Sequence, residues 1–126
     1  MMNLADMLAA VKAHPQFHQA GMVLCHNGVV RATSREGRPV AGLKVAVDQT
    51  RLAAVLRDAR QRPGIIDVRA VIAEDRRLSV GDDVMLLVVA GDVRENVISC
   101  LEDTLNAIKT FVTQKTEYFE TALETE

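Results

Sequence analysis

The side chains in this sequence best suited to chemistry are lysines and arginines, and the most suggestive is Lys109. It follows Leu101, Leu105 and Ile108 on a helical apolar stripe. A lysine held against such a stripe and stripped of water becomes a better nucleophile or proton carrier. The ordinary alternative is a snorkelling side chain that covers the edge of a sheet. Arg31, Arg35 and Arg38 form a second group, at the end of a strand and in the polar loop after it. Guanidinium groups bind phosphate or carboxylate through two parallel hydrogen bonds, so such a cluster suits an oxyanion. Arg94 stands near the start of the helix that carries Lys109.

Other candidates carry less. His14 and His18 are four residues apart, but Pro15 breaks the helix that would align them on a metal. With His26 they read as ordinary strand and linker histidines, and no metal or cofactor is expected. Cys25 and Cys100 have neither metal spacing nor an evident activating partner, so free thiols are expected. Asp92 and Glu95 fit a capping box at the start of the long helix. Two carboxylates there would discourage an anion at that helix end. Glu74, Asp75, Asp82 and Asp83 read as turn and strand-end acids. The sequence contains no P-loop, GxGxxG, HExxH, GxSxG or CxxC pair.

The elements that must position these residues centre on 84–112. A buried strand through Ala90 meets a tight turn at Gly91 and Asp92, followed by the longest helix. Val93, Val97, Ile98, Leu101, Leu105, Ile108 and Val112 form its expected inner face. Upstream, Asn3 caps a short helix that ends near Pro15, and 16–19 is a linker. Residues 21–31 read as a strand in which Asn27 and Gly28 mark a bulge or a close backbone approach. Loop 32–39 leads to a strand at 40–47. Asp48 then caps a helix through about residue 60. A third strand spans 65–73, and 77–82 reads as a short strand and turn. The expected fold class is α+β: a two-layer domain with a mostly antiparallel mixed sheet covered by helices.

With 126 residues and a net charge near −2, the chain fits one domain and offers no electrostatic footprint for nucleic acid. No apolar run reaches the roughly 18 residues of a membrane span. The N-terminal residues lack the pattern of a secretory signal, so a cytoplasmic location is expected. Residues from about 119 onward are expected to fray.

Three segments resemble one family, the large (catalytic) subunit of molybdopterin synthase, the MoaE family. GMVLCHNGVVRATSREGRPVAGL is similar to the family's G-[AV]-V-x-x-F-x-G-x-V-R strand and the loop and strand after it. RRLSVGDDVMLLVVAG is similar to G-R-L-x-V-G-E with its run of valines, and NAIK to D-x-L-K. The resemblance covers about residues 4–117. It implies a sulfurtransferase that makes the dithiolene of molybdopterin from cyclic pyranopterin monophosphate. Sulfur comes from a thiocarboxylate on the Gly-Gly tail of a small ubiquitin-like subunit, and the large subunits form a homodimer.

The resemblance places Arg31 on the family's strand-end arginine, Lys109 on its helix lysine, and Arg94 on the arginine of a His-Arg pair. Val93 holds that pair's histidine position, and Ala73-Glu74 holds the place of a second His-Arg pair. The second catalytic lysine falls on Thr116, with Lys115 one residue earlier. Thr113 replaces a helix-ending proline, which favours a helix running on toward Phe119. Lys115 would then point roughly 120° away from the face shared by Lys109 and Thr116. If the chain bends instead, Lys115 reaches the pocket. The expected site is Lys109 and Lys115 for catalysis, with Arg31, Arg94, Arg35 and Arg38 for substrate. The alternative is a non-catalytic relative acting as a dimeric ligand-binding or partner-binding module.

Overall fold

The computed structural model describes residues 3–120; residues 1–2 and 121–126 lie outside the described residues, and with them most of the tail expected to fray. The chain opens on α1 (Leu4–Lys12), where Asn3 Oδ1 accepts a hydrogen bond from the Asp6 N–H at 3.2 Å. The expected linker contains a single 3₁₀ turn, Phe17–Gln19. β1 (Met22–Val29) and β2 (Val40–Val47) flank the polar loop. Asp48 caps α2 (Gln49–Arg60) by accepting from the Arg51 N–H at 3.0 Å. β3 (Ile65–Ile72), β4 (Asp83–Gly91) and α3 (Arg94–Ala107) follow, then a π-helical turn (Ile108–Val112) and β5 (Thr113–Phe119).

The fold is α+β with antiparallel pairing throughout. The strands divide between a three-stranded sheet, ordered β1-β4-β3, and a separate ribbon of β2 and β5. β4 is central and buried on both faces. Met85, Leu87 and Val89 pack with α2 and α3, while Leu86, Val88 and Ala90 pack with Met7 and Val11 of α1. A smaller cluster (Val30, Val40, Leu43, Val45, Ala73 and Leu78) joins the ribbon to the end of the sheet. Gly28 sits at the irregularity expected in β1, where the register shifts so that Gly28 faces Met85 and Val29 faces Asp83.

Five expectations are corrected. Residues 77–82 form no strand: Leu78 makes one isolated bridge to Leu43, and Asp82 Oδ2 accepts from the Ser79 N–H at 2.8 Å to close a turn. The long helix does not run on toward Phe119. After the π-helical turn the chain extends into β5, which pairs along β2 from Val47–Thr113 to Val40–Phe119. The pairing satisfies backbone groups of β2 that a continuing helix would leave open. Phe119 therefore ends a strand rather than beginning a frayed tail, and the Glu120 N–H donates to Pro39 O at 3.2 Å.

The remaining two corrections concern α3. Its buried stripe is Val97, Cys100, Thr104, Ile108 and Val112, whereas Val93 is 49% and Ile98 50% exposed. The capping box is also not formed. Val93 occupies the cap position, so Asp92 lies one residue too early to reach the third helical N–H. Its Oδ1 accepts instead from the Asn96 side chain at 2.9 Å and from the Val93 N–H. Glu95 turns toward Arg94, 3.6 Å away.

These bonds, that from Asn96 first and that from Val93 second, hold the Asp92 carboxyl below its ordinary 3.8. A depressed folded-state pKa contributes stability above the unfolded value, and that stability is lost as pH falls through the folded value. Wild type is therefore expected to resist urea better than Asp92→Ala at pH 6. The difference in midpoint should fade as pH drops below 3.8 and through the depressed value; a pH-independent difference would contradict this account.

Candidate functional site

Where the ribbon meets the sheet, a cavity of about 570 Å³ opens to solvent. Its apolar floor comes from Val40, Leu43 and Val45 of β2, Ile72 of β3, and Val84 and Met85 of β4. Its polar wall has three sources. The loop after β1 supplies Arg31, Thr33, Ser34 and Arg35; the π-helical turn supplies Lys109; and β5 supplies Thr113, Lys115 and Glu117.

Each side chain is aimed by local structure. The loop is braced by Ser34, which is buried: its N–H donates to Arg38 O at 2.9 Å, and its hydroxyl accepts from the Arg38 N–H at 3.1 Å. Arg31 Nε donates to Thr33 O at 2.8 Å, which fixes the near end of the guanidinium and leaves its outer nitrogens free. Ile108 is 1% exposed and anchors the π-helical turn in the core, so its neighbour Lys109 is turned out at the cavity wall. Single-turn π-helices are frequent at functional sites because the wider turn re-aims side chains. The Asp48 N–H donates to Val112 O at 2.8 Å and ties the end of this turn to the start of α2.

The register of β5 decides which of Lys115 and Thr116 faces the cavity. Lys115 pairs with Val45, which is buried and lines the cavity, while Thr116 pairs with exposed Lys44. Alternation along a strand thus puts Thr113, Lys115 and Glu117 on the cavity side and Thr116 on the other. Lys115 Nζ lies 3.9 Å from Glu117 Oε2.

The structure therefore brings together Arg31, Arg35, Lys109 and Lys115. Arg38 is not part of the wall: its guanidinium lies over the Phe119 ring, 3.8 Å from the centroid. Arg94 sits at the opposite end of α3, with its side chain 77% exposed. A helix rises 1.5 Å per residue, so Arg94 is on the order of 20 Å from Lys109 within one chain. Ser34, Thr113 and Glu117 were missed because polar residues in a loop and a polar strand carry no periodic signal. The other early candidates fall outside the cavity. His14 Nδ1 accepts from the Gln16 N–H at 3.0 Å, and burial pushes both thiols up, Cys25 on β1 and Cys100 on the buried face of α3.

Four cations above an apolar floor, with one carboxylate among them, suit a planar or cyclic ligand that bears an oxyanion. Fold and site together define an α+β domain with a cavity whose wall carries two arginines and two lysines. The family model described as MoaE protein matches residues 2–111, so this chain belongs to the MoaE family. Among solved structures it is similar to molybdopterin cofactor biosynthesis protein E from Burkholderia multivorans, at 23% identity and a TM-score of 0.73, over 98% of this chain and 89% of that one. It is also similar to molybdopterin synthase from Staphylococcus aureus, at 23% identity and a TM-score of 0.69, over 82% of this chain and 78% of that one. A third similar structure is the complex of subunits 1 and 2 of molybdopterin-converting factor from Helicobacter pylori: 15% identity, a TM-score of 0.69, 96% of this chain and 86% of that one. Comparison with curated proteins finds no match. No helix among the described residues is long and apolar enough to cross a membrane.

The two lysine positions can be separated by anion binding. Lys115→Ala is expected to weaken inorganic phosphate binding roughly tenfold, the order of a lost charge-assisted hydrogen bond. Thr116→Ala, on the far side of β5, should leave it unchanged. Isothermal titration of both variants checks this, and equal effects would show that the strand faces are misassigned.

Proposed function

We propose that this chain is the sulfur-transferring subunit of a molybdopterin synthase. The observation that supports this most is the convergence of Lys109 and Lys115 with Arg31 and Arg35 on one apolar-floored cavity. In this reading Arg31 and Arg35 hold the phosphate of cyclic pyranopterin monophosphate. The pterin ring lies on the floor formed by Val40, Leu43, Val45 and Ile72. The thiocarboxylate tail of a small ubiquitin-like subunit enters at the open side. Lys109 stabilises the oxyanion that forms at its carbonyl, or attacks that carbonyl as a nucleophile, and Lys115 assists. The H. pylori relative, a complex of two subunits, supports a small-subunit partner. A homodimer of this chain belongs to the same reading, and exposed Val93 and Ile98 beside Arg94 offer apolar surface for it.

One observation favours the alternative, a non-catalytic binding relative. No aromatic side chain among the described residues lines the cavity. Phe119 and Tyr118 instead carry the guanidinium groups of Arg38 and Arg77. A pterin would then lie on aliphatic surface only, without the added stacking of an aromatic face.

Purified protein, given thiocarboxylated small subunit and cyclic pyranopterin monophosphate, is expected to form the dithiolene product. Lys109→Ala should lower kcat by about 10²-fold or more, the order seen when an oxyanion-stabilising group is removed. Product formation unaffected by Lys109→Ala would remove Lys109 from the chemistry. No product from wild type with its native partner would favour the binding module.

A further inference from the structure

The half-buried His26 plays no part in the cavity wall described above, yet the fold sets it beside Lys109. Alternate residues of β1, Met22 and Leu24, pack against the core that includes Val97, Cys100 and Ile108. His26 follows them on the same face of the strand. α3 starts just beyond Gly91, the partner of Met22, and packs on both β4 and β1, so its course carries its last turns toward the end of β1 that holds His26. On the flank of α3 toward β1, Leu101 and Leu105 are half-buried, and Lys109 comes next at the same four-residue spacing. The imidazole leans forward along β1: a methyl group on Gly28 would lie 3.4 Å from His26 Nε2. Val29, the next residue, is where the cavity lining begins.

We propose that His26 and Lys109 form a charge-coupled pair, in which the imidazole takes up a proton when an oxyanion covers the Lys109 ammonium. His26 is thus a positioning residue that acts through Lys109 and links anion binding to pH. The pair's use in turnover rests on the sulfur-transfer reading; the coupling itself does not.

Burial first, and the charge of Lys109 second, hold the imidazole below its ordinary 6.5. At neutral pH the ring is therefore uncharged beside a cation. Other charged groups stand on the neighbouring elements. Arg31 and Arg35 come from the loop after β1, Lys115 and Glu117 from β5, Asp83 from the start of β4, and Glu102 from the exposed side of α3. After burial, it is the Lys109 charge that lowers the imidazole pKa. A bound dianion offsets that charge, which removes part of the penalty on imidazolium and raises its pKa. Linkage then requires the reciprocal effect: proton uptake by His26 strengthens anion binding, so affinity rises as pH falls through the His26 titration. A phenylalanine at position 26 would fill similar space and could not do this.

The test follows the three imidazoles by NMR in ¹³C-histidine-labelled protein, with sulfate as the probe because its charge is constant between pH 4 and 8. His26→Phe identifies the His26 signal, and His14 and His18 serve as internal references. In wild type, saturating sulfate is expected to move the His26 midpoint upward and leave those of His14 and His18 in place. Lys109→Met should raise the His26 midpoint without sulfate, and Lys109→Arg, which keeps the charge, should leave it low. Sulfate affinity should increase toward acid pH in wild type and lose that increase in His26→Phe. A His26 midpoint that is the same in wild type and Lys109→Met, or that sulfate does not move, overturns the proposal. Neither result bears on sulfur transfer, which is read separately as dithiolene formation with the small subunit.

Discussion

The rest of the structure depends on the burial of β4 from both sides. Its residues from Leu86 to Ala90 are all nearly inaccessible to water. Each large aliphatic side chain so buried is worth roughly 1.5–3 kcal/mol, while an exposed ion pair is worth about 0–1 kcal/mol. The apolar sandwich of β4 between α1 and the α2–α3 layer therefore decides the fold, and the surface charges are left free for other use. Where β4 gives way to α3, packing allows no side chain. A methyl group on Gly91 would meet Gly64 O at 2.7 Å and Val97 Cγ2 at 2.8 Å. That contact holds the start of α3 against the sheet and sets the direction in which its far end must lie.

The far end is where structure becomes site. α3 widens into a π-helical turn, then breaks into β5. Ile108 and Val112 stay in the core, and between them the chain turns Lys109 outward to the cavity. β5 then returns along β2 and adds Lys115 and Glu117 to the same wall. One interruption in a helix thus places two lysines from adjacent stretches of sequence in one cavity. A straight continuation of α3 would have separated them by helix geometry.

What was legible in the sequence follows from what faces the core. β4, α2 and the caps at Asn3 and Asp48 were readable because their apolar periods and capping residues answer to burial and to orphan backbone groups. β5 was not readable, and its function is the reason. Its inward residues, Thr113, Lys115 and Glu117, face a polar cavity rather than a core. The alternation of a half-buried strand is present in space but absent from the hydropathy pattern. The capping box failed by a single residue, because Asp92, the cap that the pattern implied, lies one position before the actual cap, Val93, and bonds Asn96 instead. Family resemblance and residue chemistry grouped Arg31, Arg35 and Lys109 with Lys115, but equally with Arg38 and Arg94. Periodicity alone could not distinguish them from Arg38 and Arg94, which the fold sends elsewhere.

The charge of the whole chain hides the character of this site. A net charge of −2 predicts weak repulsion of anions at long range. Within the cavity the balance reverses, with Arg31, Arg35, Lys109 and Lys115 against Glu117 alone. Beyond a Debye length of about 8–10 Å the distant acids are screened, so a bound anion responds to the local set. Glu117 has a particular place in that set. At 3.9 Å from Lys115 it forms only a loose, partly exposed pair, which contributes little to stability. Its effect is instead to lessen repulsion among cations crowded around an apolar floor. Part of the positive charge in the cavity wall is thus offset from within the wall itself.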